Sequence, residues 1–128
     1  MGNCYESSVK TMLEMASSGR GGFENLRLAH GNVTGQAGYV KDQRYGHAWL
    51  ELEIPDKFVF DTEQNAMIPK DRYYQVGNID CNEVKLYDLK EVRGWLTQTE
   101  HYGPWEMAMT DFEKTIKDNN PEEEVSDE

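Results

Sequence analysis

The sequence predicts an α+β fold: an N-terminal helix packed on a small, mainly antiparallel sheet, with further helices at the C-terminal end. Three observations carry the prediction. Tyr5, Val9, Met12, Leu13 and Ala16 recur at helical spacing. Ala48, Leu50, Leu52 and Ile54 alternate with His47, Trp49, Glu51 and Glu53, which is the period of a half-buried strand with its apolar set facing a core. Leu89, Val92, Trp95 and Leu96, then Trp105, Ala108, Met109, Phe112 and Ile116, return to the helical period.

Asn3 is placed to cap the first helix, which should run from Cys4 to about Ser17. Glu6 stands three residues on, as an Asn-x-x-Glu capping box requires. Ser17-Ser18-Gly19, then Gly21-Gly22, end the helix. Leu26–His30 reads as a strand that Gly31-Asn32 bends or ends. Gly35-Gln36-Ala37-Gly38 is a turn, and Tyr39–Tyr45 is read as extended, feeding the strand at 46–54. Pro55-Asp56-Lys57 turns the chain into a second strand, Phe58–Asp61. Thr62–Asn65 is a polar loop. Pro69 suits the first turn of a short helix through Tyr73, Tyr74 and Val76, closed by Gly77. Val84–Tyr87 is a short strand, and Asp88 with Glu91 resembles a second capping box. Gly103-Pro104 breaks the chain before the last helical stripe. Residues 1–118 should form one domain. From 119 to 128 Val125 is the one aliphatic residue, so an acidic, disordered tail is expected.

The 128 residues are enough for one core. No apolar run reaches the length of a membrane span and no secretory hydrophobic stretch follows the start, so a cytoplasmic protein without membrane contact is expected. Two cysteines suit that compartment; a Cys4–Cys81 bridge stays open. Met1-Gly2-Asn3-Cys4 invites a lipidation reading, but Glu6 occupies the position where myristoylation wants Ser or Thr. The net charge is −11; removing the six acids of Asp118–Glu128, which include no base between them, leaves −5. Such acidity disfavours a nucleic-acid backbone as partner. Oligomeric state is not readable. Cys4, Cys81, His30 and His101 have no zinc-type spacing and no glycine-rich fingerprint is present, so neither metal nor cofactor is expected.

Cys4 at the first helical position lies where unpaired N–H groups and the helix dipole stabilise an anion such as a thiolate. His47 and Trp49 share one face at the start of their strand, and Asp61 closes the next. A thiol, an imidazole and a carboxylate are the types that amide chemistry needs for nucleophile, base and orienter. Each has a plainer alternative: a packing cysteine, a structural histidine, a strand-ending aspartate. Register is the open question. A turn centred on Pro55-Asp56-Lys57, which the turn chemistry favours, sets Asp61 opposite Glu51, about 13 Å along the strand from His47. A turn centred on Ile54 sets it opposite His47.

Gly-Asn-Cys-Tyr opening a helix, Gly-His-Ala-Trp-Leu-Glu opening a strand and Val-Phe-Asp-Thr after a turn resemble the papain-like superfamily, above all its transglutaminase-like and NlpC/P60-like branches. The resemblance covers roughly the first half of the chain. It implies a papain-like fold, with Cys4 as nucleophile, His47 as general base and acid, and Asp61 as orienter. The family's upstream oxyanion-hole glutamine has no counterpart in Met1–Asn3. The Cys4 backbone N–H with Asn3 or Gln36 is the expected substitute, and Trp49 is expected beside His47. The function implied is a thiol-dependent hydrolase or acyl transferase acting on a peptide, isopeptide or glutamine-type amide. The alternative is a non-enzymatic binding protein whose acidic surface engages a basic partner.

Overall fold

A computed structural model describes residues 3–18, 25–53 and 57–118. The Gly21-Gly22 pair, Ile54 with the Pro55-Asp56 turn and the acidic tail from 119 lie outside the described residues. The chain runs α1 (Cys4–Ser17), β1 (Leu26–Thr34), β2 (Arg44–Leu52), β3 (Phe58–Asp61), β4 (Ala66–Pro69), α2 (Lys70–Val76), β5 (Lys85–Tyr87), α3 (Leu89–Thr99) and α4 (Asp111–Asp118). The strands form one antiparallel sheet in the order β4-β3-β2-β1-β5. The α+β architecture, with an N-terminal helix on an antiparallel sheet and helices at the C-terminal end, is as expected.

β2 is buried on both faces, not one. Leu50 packs with Val9 and Met12 of α1, Leu26 and Leu28 of β1, and Val92 of α3. On the opposite face Trp49 packs with Ala29, Val33, Val59 and Tyr73, so α2 covers that side. Alternation thus marks two cores, one aliphatic and one built on Trp49. Each fully buried Leu or Val contributes about 1.5–3 kcal/mol.

Several local expectations are corrected. β1 does not stop at Gly31-Asn32 but pairs with β2 from Leu26↔Leu52 to Thr34↔Arg44. Gly31 is there for space: a Cβ at that position would come 2.8 Å from the Trp49 ring. Tyr39–Tyr45 is not extended throughout; Gly38–Val40 is a 3-10 turn and β2 starts at Arg44. β4 is a short edge strand ending in proline, too brief to show a period. The Asn3–Glu6 box does not form: Asn3 makes no side-chain cap and Glu6 pairs with Lys10 at 2.6 Å. The Asp88–Glu91 box does form. The last helix begins at Asp111 and not near Trp105. Thr110 and Glu113 cap it reciprocally, Glu113 N–H to Thr110 Oγ1 at 3.2 Å and Thr110 N–H to Glu113 Oε1 at 2.8 Å. Trp105 is drawn instead into a stack on Trp95, ring centroids 5.8 Å apart.

Candidate active site

The observed β2–β3 register is Leu50↔Phe60, Glu51↔Val59 and Leu52↔Phe58. It lies midway between the two registers considered above. Asp61 comes level with Trp49, two residues from His47 and on the same face. That offset is short enough for side chains to bridge. His47 Nε2 lies 3.0 Å from Asp61 Oδ2. A carboxylate only accepts, so Nε2 carries the proton and donates it.

Asp61 is over-determined. Its Oδ2 also accepts from Tyr73 O–H at 2.6 Å and Gln64 Nε2 at 3.1 Å. Its Oδ1 accepts the backbone N–H groups of Glu63 at 2.9 Å and Gln64 at 3.3 Å, closing an Asx turn over Thr62–Asn65. Burial would raise this carboxyl, but the His47, Tyr73 and Gln64 contacts outweigh it and hold the group well below the usual carboxylate range.

Cys4 reaches the same place from the other layer. β3 leaves the sheet at Asp61, and the start of α1 comes down where it has ended. Ser7 Oγ and Thr62 Oγ1 meet at 2.6 Å, joining the first turn of α1 to the turn after β3. Cys4 Sγ, a ring nitrogen of His47 and a carboxylate oxygen of Glu63 lie within 4.8 Å of one another. Glu63 Oε1 is 3.2 Å from His47 Nδ1. Burial pushes the imidazole down, but the Asp61 hydrogen bond and then the Cys4 sulfur push it up, to about 10.

His47 and Asp61 line an open cleft of about 710 Å³, walled by Val33, Val40, Ile68 and Val76, to which Arg72 adds a positive charge. Cys4 is 1% exposed and is not among the lining residues. On the far side of His47, Gly46 donates its N–H to Glu113 Oε2 at 3.0 Å, and Thr110 Oγ1 donates to the Arg44 carbonyl at 2.7 Å. These bonds tie α4 to the strand that carries the histidine. A Cβ at Gly46 would meet the Tyr5 hydroxyl at 2.5 Å, so glycine lets α1 and α4 converge there.

Of the accessory residues, Trp49 is fully buried, donates its indole N–H to Glu51 at 2.9 Å and stacks behind His47 at 6.1 Å. It backs the imidazole and is not a substrate wall. Gln36 lines the cleft, but its amide nitrogen donates to the Thr34 and Val76 carbonyls at 2.9 and 3.0 Å, so it clamps a loop and is not a free oxyanion donor. Asn3 is exposed beside Cys4, its side chain unused as a cap. Both cysteines are free thiols. Sequence reasoning missed Glu63, Gln64 and the second role of Tyr73. The Asp-Thr-Glu-Gln run, an Asx-turn signature, was the one signal that could have found the first two. It also missed the Cys4-His47-Glu63 cluster, because those residues come from three separate elements.

Comparison with protein-family models, curated proteins and solved structures finds no match to this chain.

The depressed Asp61 carboxyl makes a prediction about pH. Its folded value lies below its unfolded one, so its stabilisation is complete above about pH 3.9 and is lost as pH falls through the folded value. The stability gap between wild type and Asp61→Asn, read from urea midpoints, should be greatest near about pH 5–6, narrow steadily toward pH 2, and narrow again as pH rises from about 6.5 toward 10, where His47 loses the proton that Asp61 holds. A gap unchanged down to pH 2 would contradict the assignment.

Proposed function

We propose that this chain is a thiol-dependent amide hydrolase or acyl transferase of papain-like type, acting on a peptide, isopeptide or glutamine-type amide. One observation carries the reading. His47 presents one ring nitrogen to Asp61 at 3.0 Å while its ring lies within 4.8 Å of the Cys4 sulfur at the start of a helix. That is the order nucleophile, base, orienter.

The Cys4 thiolate would attack the amide carbonyl to form the C–S bond, and the first-turn N–H groups of α1 would face the developing oxyanion. The Nδ1 proton of the His47 imidazolium passes to the leaving amine as the C–N bond breaks, leaving a thioester. Neutral His47 then takes a proton from water or an acceptor amine as it attacks the thioester carbonyl. Sulfur departs as thiolate and the imidazolium is restored. Asp61 keeps the Nε2 proton in place throughout.

A second reading, a binding protein without turnover, is favoured by one specific fact: Cys4 is only 1% exposed. Iodoacetamide separates the two, because the chain carries its own reference thiol in exposed Cys81. Exposure alone makes Cys81 the faster site. A catalytic Cys4 should be labelled about tenfold faster than Cys81 at pH 6, where an ordinary thiol is almost wholly protonated. Site-resolved mass spectrometry reads the ratio. Labelling of Cys4 only after Cys81, or only on unfolding, rejects the enzyme.

A further inference from the structure

We propose that Cys4, His47 and Glu63 form a binding site for a thiophilic divalent cation, zinc fitting best, and that an ion there blocks the thiol. The blocking rests on the hydrolase reading above; the binding does not.

Three features point to a ligand. The sulfur, imidazole and carboxylate donor atoms already lie within 4.8 Å of one another, and His47 Nδ1 is 3.2 Å from Glu63 Oε1. Tetrahedral zinc with ordinary bond lengths needs ligand atoms about 3.3–3.6 Å apart, so the nitrogen–oxygen edge is formed and the sulfur, within 4.8 Å of both, has at most about 1.5 Å to close. His47 Nδ1 is buried and makes no hydrogen bond among the described residues, although the residue is only 5% exposed. The groups it faces are the Glu63 carboxylate and the Cys4 sulfur, so a buried nitrogen donor is set against two further metal-ligating groups. Finally, Nε2–H donates to Asp61, the carboxylate–histidine arrangement that fixes a metal-binding imidazole and raises its basicity.

Donor chemistry selects the ion. One thiolate, one imidazole and a single carboxylate suit zinc and exclude calcium and magnesium, which require oxygen shells. Two anionic ligands balance a divalent charge. Three protein ligands leave a fourth position for water. The ion takes the place of the proton between sulfur and Nδ1, so binding releases protons. Because that sulfur is the proposed nucleophile, occupancy and turnover exclude each other.

The test uses the full chain, stripped with EDTA and titrated with zinc and with cobalt(II). One equivalent of zinc should bind at micromolar concentration and protect Cys4, not Cys81, from iodoacetamide. Cobalt should give a sulfur-to-metal charge-transfer band in the near ultraviolet that Cys4→Ser abolishes and Cys81→Ser leaves intact. Glu63→Gln, on an exposed turn, should keep the fold and weaken zinc at least about tenfold. No stoichiometric binding, or equal binding in Cys4→Ser and Glu63→Gln, overturns the site. If zinc binds while metal-free Cys4 reacts no faster than Cys81, the ion site stands and the hydrolase reading falls. If Cys4 is hyper-reactive and zinc neither binds nor protects, the outcome is the reverse.

Discussion

Cys4→Ala is expected to fold and to be wholly inert in acyl transfer, while His47→Ala and Asp61→Asn fail in two different ways. Cys4 begins α1, and the stripe of Val9 and Met12 that anchors the helix is untouched by the change. On the proposed mechanism, His47→Ala removes both the proton donor to the leaving amine and the cation beside the sulfur. Turnover should fall by about 10²–10⁴, the usual contribution of a general acid–base. Cys4 labelling at pH 6 should also fall toward the rate of Cys81, because only the helix dipole then favours the thiolate. Asp61→Asn keeps the shape but reverses the hydrogen bond. An amide nitrogen at the Oδ2 position donates to Nε2 and drives the imidazole proton to Nδ1, the wrong tautomer for taking a proton from water. A loss on the order of 10³–10⁴ in turnover should follow. The same substitution removes an acceptor from Tyr73 and Gln64, so its melting temperature must be measured alongside. Labelling rates need no substrate. If His47→Ala leaves the Cys4 rate at pH 6 unchanged, the two side chains are not a functional pair.

What the sequence made legible follows from period and capping. α1, β2 and α3 each bury an apolar stripe with a clear repeat, and α3 carries a box that the structure forms. β4 and the start of α4 were hidden for opposite reasons. Ala66–Pro69 is too short for a period, whereas the stripe through Trp105 and Met109 had a helical period that the Thr110–Glu113 cap and the Trp95 stack overrode. The second covered face of β2 was hidden too. Trp49 and Glu51 read as the polar side of an alternating strand, and only tertiary packing by Tyr73 and Tyr74 reveals them as interior. For the site, the residue types were legible and their geometry was not. A one-residue change in the loop after β2 moves Asp61 relative to His47, and the composition of that loop does not fix its centre. The structure supplies the intermediate register, in which the carboxylate sits two residues along, within hydrogen-bond reach of the imidazole.

The buried acid behind the site carries the largest expected loss of stability. Glu51 is fully buried on the face that holds His47 and Trp49. Its Oε2 accepts the Trp49 indole N–H at 2.9 Å and the Tyr74 hydroxyl, and its Oε1 faces Lys70 Nζ at 2.9 Å. For Lys70, burial lowers the ammonium's pKa, but the Glu51 contact more than reverses this and raises it. One carboxylate therefore ties β2 to α2 and fixes the indole stacked on His47. Glu51→Ala strands a partly buried ammonium, an indole N–H and a phenol, and should cost about 3–5 kcal/mol. Glu51→Gln keeps a hydrogen-bond acceptor and loses the charge, so it should cost less, about 1–3 kcal/mol. A Glu51→Leu/Lys70→Met double variant removes both charges and should recover much of the Ala loss, because desolvating an ion pair offsets most of its attraction. Urea melts followed by tryptophan fluorescence rank the three. A cost below about 1 kcal/mol for Glu51→Ala would mean that water reaches the carboxylate. The indole behind His47 would then be held by packing alone.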